Sequence, residues 1–147
     1  MESSQHNQFD RELIVATART LLRPRVLFRP YGRDPKYGMD CIGVVVWVGK
    51  QCGCLKGDYE PPLYAYPPQA EVFEQFDHLG VRREGPAHGA VAIFGRNHPQ
   101  HSGIVAWSDG RWKLIGIDLN GHRPFVTITP MNVEHVWRFY DFRLAQS

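Results

Sequence analysis

The residues best suited to chemistry are Asp40-Cys41, set directly before the apolar run Ile42-Gly43-Val44-Val45-Val46-Trp47-Val48. Turn chemistry leads into them. Asp34-Pro35 cannot continue a helix, because the proline ring pushes the preceding residue out of the helical region. Gly38 can take backbone angles that other residues avoid. Asp40 can then cap a helix, its carboxylate accepting from free backbone N–H groups. Cys41 would be the first helical residue. There the positive end of the helix dipole lowers a thiol's pKa and favours the thiolate, which is the nucleophile. Spacing alone leaves two readings open: an activated nucleophile, or the small buried residue that a free cysteine often is.

A thiolate nucleophile needs a base, and the base needs a third group to hold its ring. Seven histidines compete: His6, His78, His88, His98, His101, His122 and His135. His6 lies near the N-terminus, His78 and His135 read as surface residues, and His88 and His98 fall at strand edges. His101 opens a strand, and Gly103 two residues later lets neighbouring backbone approach. The residues give no metal site, since His98, His101 and Cys41 form too loose a set. No cofactor is expected.

These groups need elements to position them. Residues 1–9 read as a mobile arm, and residues 10–147 as one domain. From Asp10, a plausible cap, Leu13, Ile14, Thr17, Ala18, Leu21 and Leu22 recur at helical spacing until Arg23-Pro24. Arg25, Arg29, Arg33 and Lys36 punctuate a basic loop and read as a solvated rim. Residues 41–50 form the second helix; their β-branched run would also suit a strand, but the cap and the length favour a helix, buried because it is apolar nearly all round. Residues 53–70 carry Tyr59, Tyr64 and Tyr66 among two Pro-Pro pairs. They read as an extended connection that walls a groove, docks on a partner or folds over the surface. Residues 70–79 read as a third helix. After Gly85-Pro86 the pattern turns to strands over 90–94, 101–107, 111–119, 125–129 and 137–144, with a hairpin turn at Ser108-Asp109-Gly110. The class is α+β, helices first and then an antiparallel sheet of about five strands.

Composition bounds the partners. The 147 residues are 43% apolar and 22% charged, as for an ordinary globular domain. A net charge of +2 is too small to favour nucleic acid as the main partner. No run of 18 uncharged apolar residues occurs, so membrane insertion is not expected. The polar start MESSQHNQFDRE has no apolar signal core. Three cysteines, with Cys52-Gly53-Cys54 too close for a routine bridge, suggest free thiols in a reducing compartment.

Phe28-Arg29-Pro30-Tyr31-Gly32-Arg33-Asp34-Pro35-Lys36-Tyr37-Gly38-Met39-Asp40-Cys41-Ile42-Gly43 resembles the nucleophile segment of NlpC-type peptidoglycan cysteine peptidases, a papain-like family. Gly89-Ala90-Val91-Ala92-Ile93-Phe94, followed by His101-Ser102-Gly103-Ile104-Val105, is similar to that family's strand pair carrying the general base. The similarity spans roughly residues 12–143. Length and closing residues are most like the small members coded in phage and gene-transfer-agent tail modules. The resemblance implies that Cys41 attacks a stem-peptide amide, commonly between D-glutamate and diaminopimelate. His101 would take the thiol proton and return it to the leaving amine. The Cys41 backbone N–H would help hold the oxyanion. Asp40 could bind the free amine of the stem peptide, with Tyr31 beside it on the substrate.

Three positions depart from the family pattern: Phe28 stands for a tyrosine, Ile42 for a common serine and Gly116 near the usual third histidine. Asp118 lies two residues on, on the same strand face, and a carboxylate can orient an imidazole; Asn120 and His122 are further candidates. The leading expectation is a cysteine endopeptidase in the tail tip of a phage-like particle, made without a signal peptide and opening the cell wall. Its partners would be the stem peptide and tail-hub or distal-tail proteins. The alternative is the same fold kept as a structural tail adaptor; a weaker one is a cytosolic thiol hydrolase or acyltransferase acting on amides.

Overall fold

Helix α1, Arg11–Arg19, starts where Asp10 Oδ1 accepts from the Leu13 N–H at 3.1 Å. A 3-10 turn, Thr20–Leu22, extends it before Arg23 becomes extended. The computed structural model describes residues 9–66, 68–95, 99–117 and 124–145. The arm expected over residues 1–9 therefore lies outside the described residues, apart from Phe9.

The loop that follows α1 is fastened rather than free. Strands β1 (Arg33–Asp34) and β2 (Gly38–Met39) form a two-stranded hairpin. Asp34 ties the turn by accepting from the Lys36 N–H at 2.8 Å. The Met39 N–H donates to the Leu27 carbonyl and the Arg29 N–H to the Met39 carbonyl. Helix α2, Cys41–Gln51, follows at once, capped by Asp40. Of its residues, Cys41 to Val46, Val48 and Gly49 are buried. The choice of helix over strand for this run holds, and for the expected reason: a helix apolar on all sides must be enclosed.

The predicted third helix is two short turns, α3 (Ala70–Phe73) and α4 (Phe76–Leu79). The sheet has six strands, one more than predicted: β3 (Gly80–Arg83), β4 (Val91–Phe94), β5 (His101–Ser108), β6 (Arg111–Ile117), β7 (Val126–Pro130) and β8 (Val136–Phe142). Their order is β3-β8-β4-β5-β6-β7, and every pair is antiparallel. The last strand thus enters between β3 and β4 instead of closing the meander.

Strand alternation divides the sheet into two faces. Val91, Ile93, Ile104, Ala106, Ile115, Ile117, Tyr140 and Phe142 share one core with the apolar sides of α1 and α2. Ala90, Ala92, Val105, Leu114 and Phe139 form a second, smaller cluster edged by Phe94, Trp112, Met131 and Val136. No helix among the described residues is long and apolar enough to cross a membrane.

Candidate active site

Asp40 is the hub. Its side chain is completely buried. Oδ1 accepts from the Gly43 N–H at 2.6 Å, which is the cap of α2, and from Arg33 Nη1 at 3.1 Å. Oδ2 accepts from the Tyr31 N–H at 2.9 Å and from the hydroxyls of Tyr64 and Tyr66. A carboxylate has about four lone-pair sites, so five donors leave no acceptor capacity. Asp40, expected to hold a substrate amine, is occupied by the protein itself in this arrangement.

Arg33, expected from the sequence to lie on a solvated rim, is instead the counter-charge of that hub. Nη1 also donates to the Gly32 carbonyl at 3.1 Å, Nε pairs with Glu60 at 2.8 Å, and Nη2 donates to the Tyr64 hydroxyl at 2.8 Å. Burial opposes its charge, but Tyr64, Asp40 and Glu60 outweigh burial and raise its pKa. Tyr31 sits with φ 62°, and its ring meets those of Tyr64 and Tyr66, each at 5.0 Å. Phe28 packs edge-on to Tyr66 at 6.2 Å. Burial, then the Asp40 carboxylate, raises the pKa of both Tyr64 and Tyr66, so both remain donors.

Cys41 is fully buried. Its thiol is pushed up to about 12, first by burial and then by the adjacent Asp40 charge. Hydrogen bonding from Ser102 and from the Ile42 backbone pulls the other way and loses. This corrects the expectation that the helix end lowers the thiol pKa: desolvation of a charged sulfur outweighs a partial dipole charge.

Ser102 joins the helix to the strand that carries the candidate base. Its hydroxyl donates to the Cys41 carbonyl at 3.2 Å, and its side chain is completely buried. His101 is the residue before it, the first of β5. Its ring lies 5.8 Å from that of Phe94 and opens on a cavity of about 520 Å³ with Leu114, Gly116, Thr127, Thr129 and His135. These are residues of the second sheet face. Ser102 thus faces Cys41 on the α2 side of the sheet, while His101, its neighbour in the strand, lines the cavity on the second face. Asp118, Asn120 and His122, the candidates for a third member, lie outside the described residues. His88 is held in place: Nδ1 accepts from the Trp107 N–H at 2.9 Å and Nε2 lies 3.2 Å from Glu12.

Sequence reasoning missed three participants. Ser102 carried no signal beyond its place beside His101. Tyr64 and Tyr66 did carry one, since their spacing of two puts both on one side of an extended chain.

No protein-family model matches the chain, and no curated protein matches it. Solved structures do. The NlpC/p60 domain of the peptidoglycan hydrolase SagA aligns over 93% of this chain and 99% of its own, with TM-score 0.58 and 18% identity. A protein similar to a lipoprotein of the NLP/P60 family, from Staphylococcus aureus subsp. aureus Mu50, aligns over 95% of this chain with TM-score 0.59 and 15% identity. The chain spans 44% of that second protein. At such identities the likeness is one of fold. The chain has the NlpC/p60 fold, in line with the α+β class expected from its elements and the papain-like architecture implied by the resemblance.

Proposed function

We propose, with the NlpC/p60 fold as premise, that this chain is a peptidoglycan cysteine endopeptidase that cuts stem-peptide amide bonds. Cys41 is the nucleophile and His101 the base that takes its proton and returns it to the leaving amine. The Cys41 N–H, at the start of α2, faces the developing oxyanion. Asp118, Asn120 or His122 orients the imidazole. Asp40 and Tyr31 form the substrate side of the site. The observation that carries this reading is the docking of the Asp40-capped helix, through Ser102, onto the strand that begins at His101. One structure of this fold is the NlpC/p60 domain of a peptidoglycan hydrolase, SagA, which supports the substrate class.

The likeness of length and closing residues to tail-module members supports a place in the tail tip of a phage-like particle, against tail-hub or distal-tail proteins. One observation favours the adaptor as a second reading: the thiol is wholly buried, and the Asp40 carboxylate is filled by the protein's own donors.

Digestion of purified peptidoglycan separates the two. Wild type should release stem-peptide fragments with new amino termini, measured by mass spectrometry, and Cys41→Ala and His101→Ala should release none. Equal fragment yields from wild type and Cys41→Ala would sink the peptidase, while co-purification with tail-hub proteins would support the particle.

A further inference from the structure

Residues 59–66 cross the Asp40 end of α2 in extended form. Tyr64 and Tyr66 turn inward, while Leu63 and Ala65 turn out, and Leu63 is wholly exposed. Among the described residues, the segment's one backbone–backbone hydrogen bond runs from the Tyr59 N–H to the Lys56 carbonyl at 3.0 Å. Pro61 and Pro62 have no N–H to give. The other polar ties are side chains: Arg33 to Glu60, Arg33 to the Tyr64 hydroxyl, and the hydroxyls of Tyr64 and Tyr66 to Asp40. A ladder or a helix would hold such a segment along its length. The polar ties of this one converge on a single carboxylate and its arginine, beside ring contacts with Tyr31 and Phe28.

We propose that residues 59–66 are a displaceable strap, which shuts the Asp40–Cys41 site by filling the carboxylate with two tyrosine hydroxyls and yields to a primary ammonium group. Asp40 is saturated, so an incoming cation must displace a donor. The Gly43 and Tyr31 N–H groups are fixed by the helix cap and the loop, and Arg33 carries the compensating charge. The two hydroxyls are the neutral, movable donors. Release also frees Arg33 from Tyr64 and uncovers the helix end where the nucleophile sits. The identity of the natural cation, an amine of a wall peptide, rests on the hydrolase reading; the strap itself does not.

The test is alkylation of the native protein by iodoacetamide at fixed pH, read peptide by peptide. The double variant Tyr64→Phe/Tyr66→Phe keeps both rings and removes both ties. Cys41 should label at least tenfold faster than in wild type, with Cys54, buried elsewhere in the core, unchanged. If both thiols accelerate equally, the fold has loosened, and Glu60→Gln decides. Glu60 is exposed and tied to Arg33 alone among the site residues, and its loss should speed Cys41 labelling two- to threefold with Cys54 unchanged. Wild type in millimolar n-butylammonium should also label faster at Cys41, and tetramethylammonium, which has no N–H, should leave it unchanged. Cys41 labelling unmoved by the variants and by n-butylammonium overturns the strap. Faster labelling in a protein that never cleaves peptidoglycan keeps the strap and removes the hydrolase. Cleavage with unmoved labelling removes the strap alone.

Discussion

The Ser102 hydroxyl donates to the Cys41 carbonyl across 3.2 Å, and neither side chain has any exposed surface. That bond ties the first turn of α2 to the second residue of β5. The Cys41 carbonyl lies in the first turn of α2, so Ser102 gives it an added donor in place of water. Ser102→Ala should cost about 1 kcal/mol, the net worth of one buried hydrogen bond, seen as a lower midpoint in urea. The same variant removes one of the groups that lower the Cys41 pKa. Its thiol should alkylate more slowly than wild type at equal pH. A faster rate would mean that Ser102 shields the sulfur rather than assisting its charge.

Alkaline pH should unfold this protein earlier than its composition suggests. Cys41 and Cys54 are both raised from an ordinary value of 9.0 to about 12, chiefly by burial. Between those values the folded state keeps a proton that the unfolded chain has lost. Stability therefore is full below about pH 9 and falls as pH rises toward 12. Denaturant midpoints should be flat from pH 7 to 8.5 and drop steadily above 9. Cys54→Ala should flatten part of that drop while lowering stability at neutral pH.

Asp40 should prove the most sensitive polar position. Asp40→Ala removes the cap of α2 and leaves Arg33, the Tyr31 and Gly43 N–H groups and two tyrosine hydroxyls without their acceptor. Breaking one side of a buried ion pair costs roughly 3–5 kcal/mol. In a chain of this size that corresponds to about 6–20 °C in melting temperature. Asp40→Asn should fall between, because the amide keeps one oxygen but turns an N–H toward donors. A loss below 2 °C for Asp40→Ala would show that the hub is dispensable to the fold.

Much of the frame was legible because it is local. Asp10 and Asp40 announce their helices by type and position, and β4, β5 and β6 follow from apolar runs and the Asp109-Gly110 turn. Topology was not legible. Nothing in Val136–Phe142 says that it enters between β3 and β4, since strand order depends on contacts far apart in sequence. Gly80–Arg83 was missed because Val81 is exposed at the sheet edge and the two arginines break any alternation. The place of Cys41 at the helix start could be read from the cap, but the direction of its pKa shift could not. Dipole and charge are sequence-adjacent effects, whereas burial by β5 and the core is not. Arg33 and the two tyrosines illustrate the same gap, for each looks like surface until Asp40 is seen to collect them.

Gly43 offers a test of how closely the helix start must be held. A Cβ built at this position would lie 2.0 Å from the Gly32 carbonyl oxygen and 3.2 Å from Asp40 Oδ1. The first is backbone and cannot rotate away. Helix propensity alone would make Gly43→Ala favourable by about 1 kcal/mol, so the two effects oppose each other and the sign is diagnostic. Contact at 2.0 Å should win, because forcing extra volume into a filled site costs roughly 1–3 kcal/mol or more through backbone shifts. The shift would carry the Gly43 N–H away from Asp40 and move Cys41, two residues back, off Ser102. Gly43→Ala is therefore expected to lower the urea midpoint and to abolish peptidoglycan cleavage, even under conditions where the protein remains folded by circular dichroism. A more stable, fully active Gly43→Ala protein would show that the 32–33 loop moves freely against α2, and the close seating of the helix on that loop would no longer explain how the site is placed.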